Sequence, residues 1–345
     1  MSRPPVGDRP SPFVSAGVAD IDHIWDGCRD ELQAVEHHIR QSIDSCAPVI
    51  NQAAGYLFSS GGKRLRPLLM ILSARLCNDR VPRERLVLLA SAVEYIHAAA
   101  LLHDDVLDDA AIRRGHEAAR MLWGNKASIL VGDYLYTRAV DQVIRLGNSE
   151  IESALADACR RMVEGEMLQF SNRHNINIAD TDYFKIIECK TAALISTTCA
   201  LGAIIGGAPV ASTAALTQFG RQLGIAFQLA DDALDYAAHP DKFGKTLGKD
   251  LHEGKITLPL LHLLSVCTPK EKAAVQGIIE CNGSSPHQGF DVVLGLMDRY
   301  QSVSYTLERS RHHMALAIAE LHAFPPSAHR DALEVVADYV VSRDH

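Results

Sequence analysis

The chain has 345 residues, 47% apolar and 6% aromatic, with a formal charge of −8. That is enough to bury a large core and too apolar for disorder, and an alanine- and leucine-rich, aromatic-poor chain favours close-packed helices over sheets. The acidic balance argues against a general nucleic-acid or acidic-membrane surface, so an anionic ligand must meet a local cluster of cations.

In chain order, "MSRPPVGDRPSPF" is proline-rich without an apolar core, so residues 1–19 read as a loose tail and not as a leader. One all-α domain is expected over residues 20–345. "IDHIWDGCRDELQAVEHHIRQSI" has helical spacing, with Asp20 or Asp22 as its cap. A glycine-rich basic loop, "SSGGKRLRP", precedes the long apolar helix "RLVLLASAVEYIHAAALLHDDVLDD". After the loop "RRGHE" come "ASILVGDYLYTRAVDQVIRL" and "IESALADACRRMVEGEMLQF". The polar loop "SNRHNINIADTD" then leads to "TDYFKIIECKTAALISTTCALGAII" and "AALTQFGRQLGIAFQLADDALDYA". A loop at 239–255 and further helical patterns complete the chain. No strand run and no solenoid repeat is evident. Thr191 to Gly220 carries no charge, but "GGAP" breaks the run, so it reads as a helix buried in a soluble bundle and not as a membrane span. The eight cysteines are scattered without a CxxC pair, which suits reduced thiols and a cytoplasmic location.

The sharpest feature is "LLHDDVLDDAAIRRG". Buried carboxylates are costly unless paired or bound to metal, yet Asp104, Asp105, Asp108 and Asp109 follow an oily helix directly. Asp104 and Asp108 are one turn apart and share a face, with Ala100 and His97 earlier on the same stripe. The pattern recurs in "FQLADDALDY", with Asp231, Asp232 and Asp235 after Gln228. Two facing sets of carboxylates make a cage for hard divalent ions. Arg113 and Arg114, then Lys63, Arg64 and Arg66, then Lys190, Lys245 and Lys249, supply cations suited to phosphate oxygens. Together they describe diphosphate sites. The paired histidines lack zinc spacing, and "GGKRLRP" is no P-loop.

"GGKRLRP", "LLHDDVLDDAAIRRG", "GDYLYTRA", "GEMLQF", "KTAALIS", "FQLADDALDY" and "GKTLGKDLHEGKITLPL" together resemble the trans-type, long-chain polyprenyl diphosphate synthases, in that family's order from Gly61 to Leu260. The resemblance implies the class I isoprenoid synthase fold, a bundle of long antiparallel helices around a deep central cavity. It implies three Mg²⁺ on Asp104, Asp108 and Asp231, with Asp105, Asp232 and Asp235 as the remaining metal-site candidates. Arg113, Lys190, Thr191, Gln228 and Lys245 would bind the allylic diphosphate, built on a farnesyl or geranylgeranyl primer. Gly62, Lys63, Arg66, His97 and Arg114 would bind isopentenyl diphosphate. Glu166 and Gln169 read as hydrogen-bonding groups at the cavity mouth, and "GKTLGKD" as a lid. A homodimer is implied as well, with no nucleic acid and no spanning segment.

Two departures stand out: "DDAAIRRG" replaces a Glu-Ser that many long-chain members carry after the third aspartate, and the C-terminus is less basic than in many relatives. A shorter-chain synthase making farnesyl or geranylgeranyl diphosphate is the main alternative. A class I terpene cyclase and a non-catalytic subunit fit less well, because both acidic motifs and the isopentenyl-site residues are present. Small residues at Ala99 and Ala100 leave the cavity open beneath Asp104. With one helical turn rising about 5.4 Å, near one isoprene unit, a product of about forty carbons is expected. Tyr95 and Ile96 lie deeper as a floor, or Met121, Leu122 and Leu135 form one from a facing helix. Close helix packing is the plainer reading of the same alanines.

Overall fold

The computed structural model describes residues 21–237, 248–280 and 286–341. The expected N-terminal tail, Lys245 and most of the expected lid lie outside the described residues. Helices α1 (Ile21–Gly27), α2 (Arg29–Ser42), α3 (Pro48–Ser59), α4 (Leu65–Cys77) and α5 (Arg83–Leu107) lead to a minimal hairpin, β1 (Ile112–Arg113) and β2 (His116–Glu117). Then come α6 (Ala119–Leu146), α7 (Ser149–Ser171) and α8 (Asp180–Ile187), which runs through a π-turn (Glu188–Ala192) into α9 (Ala193–Ile205). Next are α10 (Val210–Ala237), α11 (Lys249–His252), α12 (Leu258–Val266) and α13 (Pro269–Glu280). The last are α14 (Pro286–Arg299), α15 (Ser302–Leu321) and α16 (Ala328–Val341).

Local signals set several boundaries. Asn148 caps α7, its side chain accepting from the N–H groups of Glu150 and Ile151 at 3.0 and 3.2 Å. Thr268 and Glu271 form a reciprocal capping box ahead of α13. Two expectations are corrected. The first helical pattern breaks at Cys28, and of the two cap candidates Asp22 lies inside the first turn of α1, while Asp20 lies outside the described residues. The "RRGHE" loop holds a two-stranded ladder, because Arg114 (φ 53°) and Gly115 (φ 78°) both take positive φ, as the tightest hairpin turns require.

The bundle has three main packed regions among the described residues. Tyr95, Leu89 and Leu102 of α5 meet Leu135 and Ala139 of α6 in one. In the second, Phe219 of α10, Leu72 of α4 and Leu333 of α16 surround the buried side of α9. The third joins α8 and α10 to α12 and α14. By length and apolarity two segments, Arg83–Leu107 and Asp180–Ile205, pass for membrane spans, but both are mostly buried inside the bundle, as core helices are. These regions hold the ends of α5 and α10 in place.

Phe219 is fully buried where α4, α9, α10 and α16 meet. Phe219→Ala should therefore cost about 3–5 kcal/mol in urea unfolding. A loss below about 1 kcal/mol would mean that this region repacks freely.

Candidate active site

A cavity of about 1950 Å³ opens between the ends of α5 and α10. Asp104 and Asp108 from α5, and Asp231, Asp232 and Asp235 from α10, all line it, so the two acidic motifs face one space. Their surroundings differ. Asp105 is buried and does not line the cavity; its Oδ1 accepts from Arg113 Nε at 2.8 Å. Asp109 turns outward to Arg120 at 2.7 Å. Asp232 accepts from Tyr183 Oη at 2.5 Å and Gln228 Nε2 at 2.7 Å. Asp235 accepts the backbone N–H groups of Lys249 and Asp250 at 3.2 and 3.0 Å. Asp104 and Asp231 have no ion pair or hydrogen bond to their side chains among the described residues.

Burial raises the Asp104 carboxyl, with Glu166 and Asp108 adding to it. Burial, then the charges of Asp231 and Asp235, push Asp232 up to about 7. Asp235 and Asp250 are raised by burial and the neighbouring acids. At Asp108 burial works against ionisation, but Lys255, with Lys190 and Lys249, holds the carboxyl below its usual range. Among the described residues no three His, Cys, Asp or Glu side chains converge closely enough to hold one ion. Magnesium usually takes one or two carboxylates and completes its shell with water and phosphate oxygens. Separated carboxylates, with no ion pair or hydrogen bond to the side chains of Asp104 and Asp231 among the described residues, fit that donor set.

The cations of the glycine-rich loop divide. Arg64, in left-handed backbone (φ 48°), is buried at the cavity's edge against Glu94 at 2.9 Å, Glu36 and the Phe58 carbonyl at 3.1 Å, so its charge is spent on holding the loop. Arg66 lines the cavity, and its buried Nε has no hydrogen-bond partner among the described residues. Burial, reinforced by Arg114, lowers Arg66 to about 10. Lys63 lines the cavity and donates to Tyr339 Oη. Arg114 donates to the Gly61 carbonyl, and a side chain at Gly62 would meet the Arg114 guanidinium at 2.9 Å. His97 sits among these arginines, and burial with their charge drives its pKa well below the usual value, which keeps the ring neutral.

On the other wall, Lys190 and Thr191 lie in the π-turn. Lys190 donates to Gln169 at 2.7 Å and pairs with Glu166; Thr191 donates to Gln228 Oε1 at 2.7 Å. One inserted residue in a helix redirects side chains, which is why such turns gather at functional sites. The turn is wedged between two glycines. A Cβ at Gly165 would meet Lys190 N at 2.4 Å, and one at Gly224 would meet Ala192 Cα at 2.5 Å. Glu188 fixes its start through Arg161 at 3.1 Å and Arg221 at 2.7 Å.

Residues 47–294 match the polyprenyl synthetase family model. The chain is 37% identical over 328 residues to an octaprenyl diphosphate synthase of Haemophilus influenzae, covering 95% of this chain and 98% of that one. The chain belongs to the polyprenyl synthetase family. A polyprenyl synthase from Caulobacter crescentus, solved with calcium and isoprenyl diphosphate, superposes with a TM-score of 0.90 at 36% identity, covering 96% of this chain and all of that one. A decaprenyl diphosphate synthase from Rhodobacter capsulatus gives 0.89 at 36% identity, over 94% and 100% of the two chains. The enzyme is a prenyltransferase of isopentenyl and allylic diphosphates, a chemistry that generally uses Mg²⁺.

Two features of the synthase escape the sequence reading. Arg173 Nη2 donates to Asp108 Oδ1, and Lys255 Nζ to Asp108 Oδ2, each at 2.9 Å. Lys255 falls inside a family-like motif, but Arg173 is a lone cation in a polar loop and leaves no signal. Met121 and Leu122, offered as a cavity floor, face outward at 52% and 44% exposure. The non-helical backbone at Gly124 (φ 82°, ψ 163°) kinks α6 just after them. Gly165→Ala should displace Lys190 and cut turnover roughly a hundredfold, as sub-ångström to ångström misplacement does. Steady-state kinetics should show the loss mainly against the allylic substrate; an unchanged rate would remove the wedge from the account.

Proposed function

We propose that the synthase adds isopentenyl diphosphate repeatedly to a farnesyl or geranylgeranyl primer, ending at an all-trans polyprenyl diphosphate of about forty carbons, one isoprene unit for roughly each helical turn of depth. The observation that carries this reading is the single deep cavity with both aspartate motifs at its mouth and Ala100 and Leu101 in its wall below them. The octaprenyl and decaprenyl synthase relatives support it.

Asp104, Asp108 and Asp231 would hold three Mg²⁺, with Asp105, Asp232 and Asp235 orienting or completing the set. When bound, the metal offsets the charge that develops on the leaving diphosphate. Arg113 and Lys190 would offer positive charge to the same group, with Thr191 and Gln228 beside it, which is electrostatic preorganisation; Lys245 is assigned to it by its motif alone. Lys63, Arg66 and Arg114, with the Gly62 backbone, hold isopentenyl diphosphate, and the neutral His97 ring adds contact without further charge. The allylic carbon–oxygen bond breaks, the alkene of isopentenyl diphosphate attacks the resulting cation, and a proton is lost to the departing diphosphate. No side-chain nucleophile is needed. The uncharged wall keeps water from the cation.

Product length rests on α5. Ala100 lines the cavity, Ala99 is buried beside it, and Tyr95 is fixed deeper by Ser42 Oγ at 2.5 Å and the Ile39 carbonyl at 3.1 Å. We assign one domain to residues 20–345 and a cytoplasmic location. A homodimer is supported by exposed Ile129, Leu130, Val140 and Ile144 on α6 and Val163 and Met167 on α7, a large apolar surface for a lone chain.

Incubation with labelled isopentenyl diphosphate, farnesyl diphosphate and Mg²⁺, followed by sizing of the dephosphorylated product, tests the assignment. Chains near forty carbons are expected by the same turn-by-turn reckoning. Absence of elongation would overturn the synthase reading; arrest at about twenty carbons would overturn the long-chain one. Ala100→Phe should shorten the product in the same assay, and an unchanged distribution would remove Ala100 from control of length.

A further inference from the structure

Asp108, the outer carboxylate of the first motif, is gripped on both oxygens. Arg173 takes Oδ1 and Lys255 takes Oδ2, each at 2.9 Å. The cations come from segments distant in sequence, one following α7 and one preceding α12. Those segments are fastened together: the His174 N–H donates to the Gly254 carbonyl at 2.7 Å. Gly254 (φ 72°) leaves room for the His174 ring, which an added Cβ would meet at 2.3 Å. Lys255 is further anchored by Glu253 and by its own N–H, which donates to the Asp250 carbonyl at 2.8 Å. The Arg173 guanidinium lies 5.5 Å from the Phe170 ring centroid. The Asp108 and Lys255 side chains are about nine-tenths buried and that of Arg173 about three-quarters, so water screens these pairs poorly.

We propose that Arg173 is a positioning residue that guards Asp108: with Lys255 it fills both carboxylate oxygens in the unloaded enzyme, so that a divalent ion settles there only together with a diphosphate. The proposal rests on the diphosphate-site reading above. A bare ion arriving at Asp108 must break buried, charge-assisted hydrogen bonds, leaving the Arg173 guanidinium without its anion and Lys255 with Glu253 alone, which is the costly half of such an exchange. A metal arriving with diphosphate brings oxygens that the released guanidinium and ammonium can take instead, and Arg in particular suits a phosphate fork. The exchange is then nearly balanced. Asp104 and Asp231, with no such partner among the described residues, carry no guard of this kind.

The test is Mn²⁺ binding to the full chain, read as loss of the free-ion electron paramagnetic resonance signal, with and without inorganic pyrophosphate. Without pyrophosphate, Arg173→Gln should bind Mn²⁺ on the order of tenfold tighter than the unaltered chain, the worth of one hydrogen bond to a charged group. With saturating pyrophosphate the difference should fall below about twofold. Arg173→Lys should behave like the unaltered chain. Gly254→Ala, which pushes the His174 ring and parts the two segments, should shift Mn²⁺ affinity in the same direction as Arg173→Gln and carries the test should that variant misfold. Unchanged affinity, or an equal gain with and without pyrophosphate, would overturn the proposal. Elongation by the unaltered chain in the sizing assay keeps that failure separate from failure of the diphosphate-site reading.

Discussion

Asp104, Asp108, Asp231, Asp232 and Asp235 share one cavity mouth, where burial and neighbouring carboxylates act against the ionised forms of Asp104, Asp232 and Asp235. A protein selected for stability alone would not gather them, since unpaired buried charge costs more than any contact it displaces. Each departure from simple packing nearby answers that repulsion. Arg113 neutralises Asp105, Tyr183 and Gln228 donate to Asp232, backbone N–H groups donate to Asp235, and Lys255 with Arg173 holds Asp108. Negative charge is left least compensated at Asp104 and Asp231, where divalent cations are most useful.

Holding such groups at fixed positions needs a rigid frame, and the uncharged helices provide it. α9 is buried against α4 and α10 over most of its length, so the π-turn that begins it cannot drift. Gly165 and Gly224 let α7 and α10 approach that turn at backbone distance, and the Glu188 pairs pin its start. Lys190 and Thr191 thus inherit their positions from the core rather than from a mobile loop, as preorganised electrostatics requires.

The helical class and the facing aspartate motifs were legible because they follow from spacing. Asp104 and Asp108 stand four apart and therefore share a face, whereas Asp105 is turned by about 100° and meets Arg113 instead. Other features have no periodic trace. A π-turn adds one residue at Glu188–Ala192, where Glu188, Lys190 and Thr191 already interrupt the apolar spacing, so the pattern around Cys189 does not mark it. The β1–β2 turn depends on Arg114 accepting positive φ, which sequence does not announce for arginine. Arg173 reaches Asp108 across 65 positions only because two loops are zipped at His174 and Gly254. Met121 and Leu122 read as cavity-facing until the kink at Gly124 breaks their phase with the rest of α6.

The alanines of α5 show how one helix serves both packing and the cavity wall. Ala99 belongs to the core that α5 shares with Leu135 and Ala139 of α6, while Ala100, one position on and about 100° around the helix, lines the cavity. A bulky side chain at Ala99 presses into that core, where overpacking strains a dense interior. The same side chain at Ala100 enters the open volume of the cavity. The two readings of a small-residue run, close packing and an open channel, are therefore both satisfied, by neighbouring residues on different faces. Ala100 is then the small residue beneath Asp104 that faces the cavity, and Ala99 the one taken up by packing.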